Sequence, residues 1–365
     1  MSQLSKNANN IYGFSVWTFL VPVLVWGVFI IGEIVHWVPF YILSFLALIV
    51  GVLNAVHHAE VVAKKVGEPY GALILALAVT LIEVSIIVSL MFEAGADSSM
   101  LARDTVFATV MIILTGMVGL VILIGGIKFK NQTFSIDGAK AAITVLVAIS
   151  VLTLILPNFT LAVTGPFYST EQLAFVAFVT LILYGSFLFV QTIRHKDDFI
   201  SDDEAIESED LFPSKKETIT SALLLVIFLV VIVLLAESMA HPLESFIEEI
   251  GAPREIVGIL IASIILLPEG ISAVNAARKN QLQQGLNLSL GSSLATIGLT
   301  LPTVSFISIA TGIPISLGLS SEMMVLFLLS LFIIVLSLST GKTTILQGIV
   351  LLVIFSVYLL VNFVP

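Results

Sequence analysis

Eleven apolar runs, each close to the length of a membrane-crossing helix, constrain this chain more than any other feature. A spanning helix needs about 20 mostly apolar residues. Runs of that kind lie at 14–32, 38–56, 71–92, 104–127, 139–157, 172–192, 217–237, 255–277, 286–310, 321–340 and 345–363. The expected fold class is an all-α polytopic membrane protein with eleven transmembrane helices. Composition agrees: 58% of the 365 residues are hydrophobic and 11% charged, where a soluble domain carries about 25% charged residues. The first run is too long for the apolar region of a signal peptide and reads as a first span. Cysteine is absent, which excludes disulfides, thiolate metal sites and thiol chemistry.

Basic residues set an orientation on this pattern. Lys6, Lys64, Lys65, Lys128, Lys130, Lys140, Arg194, Lys196, Lys215, Lys216, Arg278, Lys279 and Lys342 fall on the side of the N-terminus; Arg103 and Arg254 fall on the other. Positive charge concentrates on the cytoplasmic side of membrane proteins. The N-terminus is therefore expected in the cytoplasm and the C-terminus outside. One missed span would scramble the split.

The longest hydrophilic stretch, "RHKDDFISDDEAIESEDLFPSKKE", divides the chain into a leading helix (1–37), a five-helix block (38–193), an acidic cytoplasmic linker (194–216) and a second five-helix block (217–365). The linker lacks the glycine and regular spacing of an EF-hand loop and reads as a solvated connection. The two blocks resemble each other. One contains "GEPYGALILALAVTLIEVSIIVSL" and the other "GAPREIVGILIASIILLPEGISAV". Each opens on Gly-x-Pro and runs to one mid-helix glutamate, Glu83 or Glu269. A repeat with an odd number of helices places its two copies in opposite orientations. Inverted repeats with a binding site near the midplane are a recurrent transporter architecture.

Glu83 and Glu269 are the two acidic residues near the centres of their spans. A charge at mid-bilayer costs about 2.5–3.5 kcal/mol, so such residues face a bundle interior or a wet cavity. A lone buried glutamate making one interhelical hydrogen bond is ordinary. Two in matching places of a duplicated unit point to a site. On the same helical face as Glu83 lies Thr80, one turn earlier. Thr105 and Thr109 follow on the next span, and the ninth span carries Ser289, Ser292, Ser293, Thr296 and Thr300 along one stripe. Serine and threonine stripes often serve only to pack helices. Here Thr80, Thr105, Thr109, Ser292 and Ser293 are expected to surround Glu83 and Glu269 with oxygen.

Pro268, beside Glu269, has no amide hydrogen, so the Ile264 carbonyl loses its helical partner. In lipid that carbonyl needs a donor or a cation. It is either an ordinary kink, capped by water or a hydroxyl, or one more oxygen about a turn from the carboxylate. No proline precedes Glu83, so the half-sites are not identical.

Oxygen-only ligands suit hard cations such as Ca²⁺. Two carboxylates in a low-dielectric pocket cannot both stay charged with nothing to balance them. An empty site is then expected to take up protons, and competition between cation and protons is a physical basis for exchange. An intramembrane enzyme using the acid pair is the competing class, but no HExxH, nucleophile elbow or Walker motif is present. A cation channel is the other alternative; channels usually build their rings from several subunits.

At these residues the chain resembles the cation/proton exchangers of the calcium/cation antiporter superfamily. "GEPYGALILALAVTLIEVSIIVSL" is similar to one signature of that family, and "PEGISAVNAARKNQLQQGLNLSLGSSLATIGLTLP" to the other; "GGIKFKNQTF" is also family-like. The resemblance implies a one-plus-five-plus-five topology, cation and proton binding by Glu83 and Glu269, and a bacterial inner-membrane location. Family calcium exchangers carry an asparagine three residues before each glutamate, where this chain has Thr80 and Leu266, and a glutamine where it has Ala295. Na⁺ and K⁺ therefore stand beside Ca²⁺ as expected substrates, exchanged for H⁺. No cofactor and no nucleic-acid partner is expected. The lipid bilayer is the expected surrounding, and the sequence favours neither a monomer nor a homo-oligomer.

Overall fold

The structure is a computed structural model that describes residues 10–11, 14–35, 37–67, 70–94, 99–199, 213–249, 251, 253 and 255–364. Every apolar run is helical over most of its length. In chain order the helices are α1 (Val16–Gly32), α2 (Val38–Val66), α3 (Tyr70–Ala94), α4 (101–129), α5 (Ile136–Phe159), α6 (Thr170–Arg194), α7 (Lys215–Glu249), α8 (Glu255–Arg278), α9 (Leu282–Thr311), α10 (Ser321–Ser337) and α11 (Ile345–Phe363). Eight of them are long and apolar enough to cross a membrane; the apolar stretches Val16–Gly32, Ile74–Ser89 and Ser321–Ser337 are shorter. The chain is thus a predominantly helical multi-pass membrane protein. Most of the acidic linker, 200–212, lies outside the described residues.

Local chemistry explains where several helices start. Ser169 caps α6 in a reciprocal capping box with Gln172, and at the start of α11 the Thr344 amide and hydroxyl both donate to Gln347 Oε1. Ser320 caps α10 by accepting from the Met323 amide. Strand pairing is minor: β1 (Asn10–Ile11) pairs with β2 (Phe14–Ser15), and β3 (Gln132–Thr133) pairs antiparallel with β4 (Lys342–Thr343).

Packing groups the described residues into two compact units. One draws on the described residues within 1–82 and 210–246, the other on those within 83–209 and 247–365. In the first, the stretch 222–236 of α7 is apolar all round. Leu224, Phe228, Val231 and Leu235 are buried while Leu223, Val226 and Val230 are exposed, as expected for a helix with lipid on one side. Its buried face includes Ser221, whose hydroxyl lies 3.3 Å from His58 Nδ1 on α2.

The second unit has a clear centre. The most apolar windows of α4, α8 and α9 are 78%, 67% and 61% buried, against 28% for α6 and α11. Backbone meets backbone between α4 and α11: a Cβ on Gly348 would stand 2.6 Å from the Leu123 amide nitrogen, and one on Gly126 2.9 Å from that of Ile345. Small residues permit this close contact where no hydrophobic drive separates helix from lipid.

Two central helices are interrupted by π turns, which insert one extra residue into a turn and recur at functional sites. One occupies Ile112–Met117 in α4, the other Thr296–Thr300 in α9. They lie at similar chain distances after Glu83 and Glu269.

Candidate functional site

Glu83 stands near the middle of α3 and Glu269 near the middle of α8, and both are buried, at 2% and 3% exposure. They belong to the same compact unit. The two are linked through α9, where Ser292 and Thr296, one turn apart, bond to Glu269 and Glu83 respectively. Among the described residues neither carboxylate has a salt-bridge partner, and no lysine or arginine is buried in this unit. Two acids thus share one region of the interior, with no buried cation among the described residues to balance them.

Hydroxyls take the place of cations. Thr109 on α4 donates to Glu83 Oε1 at 3.2 Å and is also 3.0 Å from the Thr105 carbonyl. Thr296 and Thr300, the first and last residues of the π turn in α9, donate to Glu83 Oε2 at 2.9 and 3.4 Å. Ser292, one turn before Thr296, donates to Glu269 Oε2 at 2.5 Å. Hydroxyl bonds to a carboxylate are among the stronger neutral-to-charged contacts a protein makes. They also place further oxygens around the two acids.

Of the residues expected from the sequence, the structure brings Glu83, Glu269, Thr109 and Ser292 into bonded contact. Thr105 and Ser293 are buried, and their hydroxyl oxygens have no hydrogen-bond partner among the described residues. Thr105 sits at the close approach of α4 and α8, 3.4 Å from where a Cβ on Gly258 would be. Thr80 is buried one turn before Glu83; among the described residues it makes no hydrogen bond to either carboxylate. Thr296 and Thr300 were visible as part of the hydroxyl stripe. Nothing in the stripe says that they face the glutamate of the other half of the chain.

Known proteins are similar to this chain over nearly all of its length. The family model described as sodium/calcium exchanger protein matches residues 36–193 and 220–364. The Sinorhizobium fredii protein y4hA, described only as an ionic transporter, is 42% identical over 354 residues, covering 96% of each chain. The sodium-potassium/proton antiporter ChaA of Escherichia coli is 35% identical over 354 residues, covering 95% of this chain and 96% of its own. Among solved structures, that of the Ca²⁺/H⁺ antiporter YfkE superposes with a TM-score of 0.73 at 18% identity, over 95% of this chain and 99% of that one.

Proposed function

Because this chain belongs to the sodium/calcium exchanger protein family, we propose that its Glu83–Glu269 pair binds cation and proton in turn and so performs cation/proton antiport. Membership makes the chain a transporter and not an enzyme. The transported cation is Ca²⁺, Na⁺ or K⁺; relatives named for each of these ions support that range. The observation that carries the proposal is the buried pair itself: two carboxylates with no cation partner among the described residues, in contact with hydroxyl oxygens.

The mechanism follows from charge. A dry pocket with two bare carboxylates is unstable, so it holds a metal cation or protons and exchanges one for the other. Glu83 and Glu269 are the cation and proton ligands. Thr109 and Ser292 hold and surround them, with Thr80, Thr105 and Ser293 completing the oxygen lining. Protons arriving from outside displace the cation outward. Rocking of one repeat against the other opens the site alternately to each side.

The architecture that serves this is a leading helix (1–37) and two inverted five-helix repeats (38–193 and 217–365), eleven spans in all, joined by the cytoplasmic linker 194–216. Similarly spaced glutamates and π turns in the two halves support the duplication. The N-terminus faces the cytoplasm of a bacterial cell and the C-terminus the outside.

Purified protein in liposomes with a pH-sensitive dye in the lumen tests this directly. Ca²⁺, Na⁺ and K⁺ are added separately. At least one should drive proton movement, and Glu269→Gln should abolish it. A Glu269→Gln protein exchanging at the full rate would end the proposal. Conductance without coupled proton movement would assign a channel instead.

A further inference from the structure

The loop after α4 holds a buried side chain that the carboxylate site does not use. Gln132 is 3% exposed. Its Nε2 donates to Asn280 Oδ1 at 3.0 Å and reaches the Ala277 carbonyl at 3.4 Å. Its Oε1 has no hydrogen-bond partner among the described residues and lies on Gly125, where a Cβ would overlap it.

Asn280 and Ala277 have a particular position. Ala277 belongs to the last turn of α8, and Asn280 to the tight turn that leads into α9. Asn280 adopts a left-handed backbone, φ +68°. The last carbonyls of a helix lack intrahelical donors. Gln132 supplies one donor to them, and Lys128 Nζ supplies another to the Arg278 carbonyl at 2.7 Å, where a cation also complements the helix dipole. The same loop also reaches α9, through the Ser135 amide to Gln283 Oε1 at 2.6 Å.

The hairpin tied down in this way carries Glu269 on α8 and Ser292, Thr296 and Thr300 on α9. α4, which ends just before the loop, carries Thr109. Glu83 is bonded from both sides, by Thr109 of α4 and by Thr296 and Thr300 of the hairpin. Those bonds survive only while α4 and the hairpin keep their relative height. Gln132 ties them together roughly three turns, about 16 Å, from Glu269.

We infer that Gln132 is a positioning residue: its amide straps the α8–α9 hairpin to α4 and so holds the hydroxyls of α9 at the Glu83 carboxylate. This rests on the cation-site assignment above. The strap is uncharged, so it acts by geometry and leaves the charge of the site unchanged.

Three substitutions remove the strap without touching the site. Gln132→Ala deletes the amide. Asn280→Gly deletes its partner while keeping the left-handed backbone open. Gly125→Ala displaces the Gln132 amide from the α4 side. Asn280→Asp keeps an acceptor for Nε2. Cation-dependent proton flux in liposomes, with Ca²⁺, Na⁺ and K⁺ titrated in turn, gives KM and maximal rate. Each of the three strap variants should raise KM about three- to tenfold, the size of one buried hydrogen bond. The maximal rate should stay within about twofold. Asn280→Asp should stay near wild type, and Gln132→Ala with Asn280→Gly should be no worse than either alone. Unchanged KM in folded strap variants overturns the inference, and so does a fall in maximal rate alone. If wild type shows no exchange with any of the three ions, the antiport assignment fails on its own. Hydrogen exchange then decides the strap: Gln132→Ala must speed exchange in the α8–α9 hairpin around Glu269, and unaltered exchange there refutes it.

Discussion

Glu83 and Glu269 occupy matching places in two similar segments, yet their surroundings differ. Glu83 accepts three hydroxyl bonds and Glu269 accepts one. The donors also differ in origin. Glu269 is bonded by Ser292 from its own half of the chain, whereas Glu83 is bonded by Thr109 from its own half and by Thr296 and Thr300 from the other. α9 thus serves both acids, with Ser292 turned to one and Thr296 and Thr300 to the other. Two similar segments supply acids in matching places, and a single helix then makes them unequal. Pro268 adds to the difference, since only Glu269 has a proline beside it.

The largest expected effect tests what the two acids share. Glu83→Gln and Glu269→Gln should each reduce exchange by about a hundredfold or more. Removing one member of a buried charged arrangement costs on the order of 3–5 kcal/mol, and about 1.4 kcal/mol is a factor of ten. Initial proton flux in liposomes measures this. If only one of the two substitutions is deleterious, the acids do not form one site, and the comparison between them loses its basis.

Much of this arrangement was legible before any coordinates. Each apolar run is a helix, because a chain in lipid must satisfy its own backbone. Helix ends were less legible. The run at 38–56 continues as helix through His57, His58 and Glu60 to Val66, and that at 217–237 continues past Pro242 to Glu249. Apolarity marks what lipid touches, and a helix need not stop at that edge. Glu83 and Glu269 stood out because a charge inside such a run is costly. Thr109 and Ser292 followed from their place on the next helix of each half. Thr80 was inferred from sharing a helical face with Glu83, but the hydroxyls bonded to Glu83 all come from neighbouring helices. Thr296 and Thr300 needed the packing, since a stripe does not name the helix it faces. The π turns were invisible because no residue type encodes an extra residue in a turn. Gln132 was hidden for a related reason: its partners are 145 and 148 residues away.

A finer test sets the donors against one another. Ser292→Ala leaves Glu269 with no hydroxyl partner, while Thr296→Val leaves Glu83 with two and Thr300→Val removes its longest bond. Hydrogen bonds to charged groups contribute about 1.5–3 kcal/mol, so Ser292→Ala should weaken apparent cation affinity by about tenfold or more. Thr296→Val should cost less, and Thr300→Val less again. Isothermal titration of the purified protein with the transported cation orders the three. An inverted order, with Thr300→Val the worst, would mean that Glu269 does not depend on Ser292 and that the inequality runs the other way.

The smallest effect concerns Thr105 and Ser293, whose buried hydroxyls have no hydrogen-bond partner among the described residues. A buried donor without a partner costs about 1–3 kcal/mol, so Thr105→Val and Ser293→Ala should leave the cation-free protein as stable as wild type or slightly more so. If these oxygens line the cation site, the same substitutions should raise KM by about two- to threefold, the loss of one weak oxygen contact. Thermal melts with and without saturating cation separate the two consequences: the variants should melt at or above wild type without cation and gain less from its addition. A variant that gains as much from cation as wild type removes its residue from the site and makes that hydroxyl a packing feature of α4 or α9. Thr105 lies on the helix that serves Glu83 alone, and Ser293 on the helix that serves both acids. A larger loss from Ser293→Ala than from Thr105→Val is therefore the outcome that makes α9 the shared wall of the site.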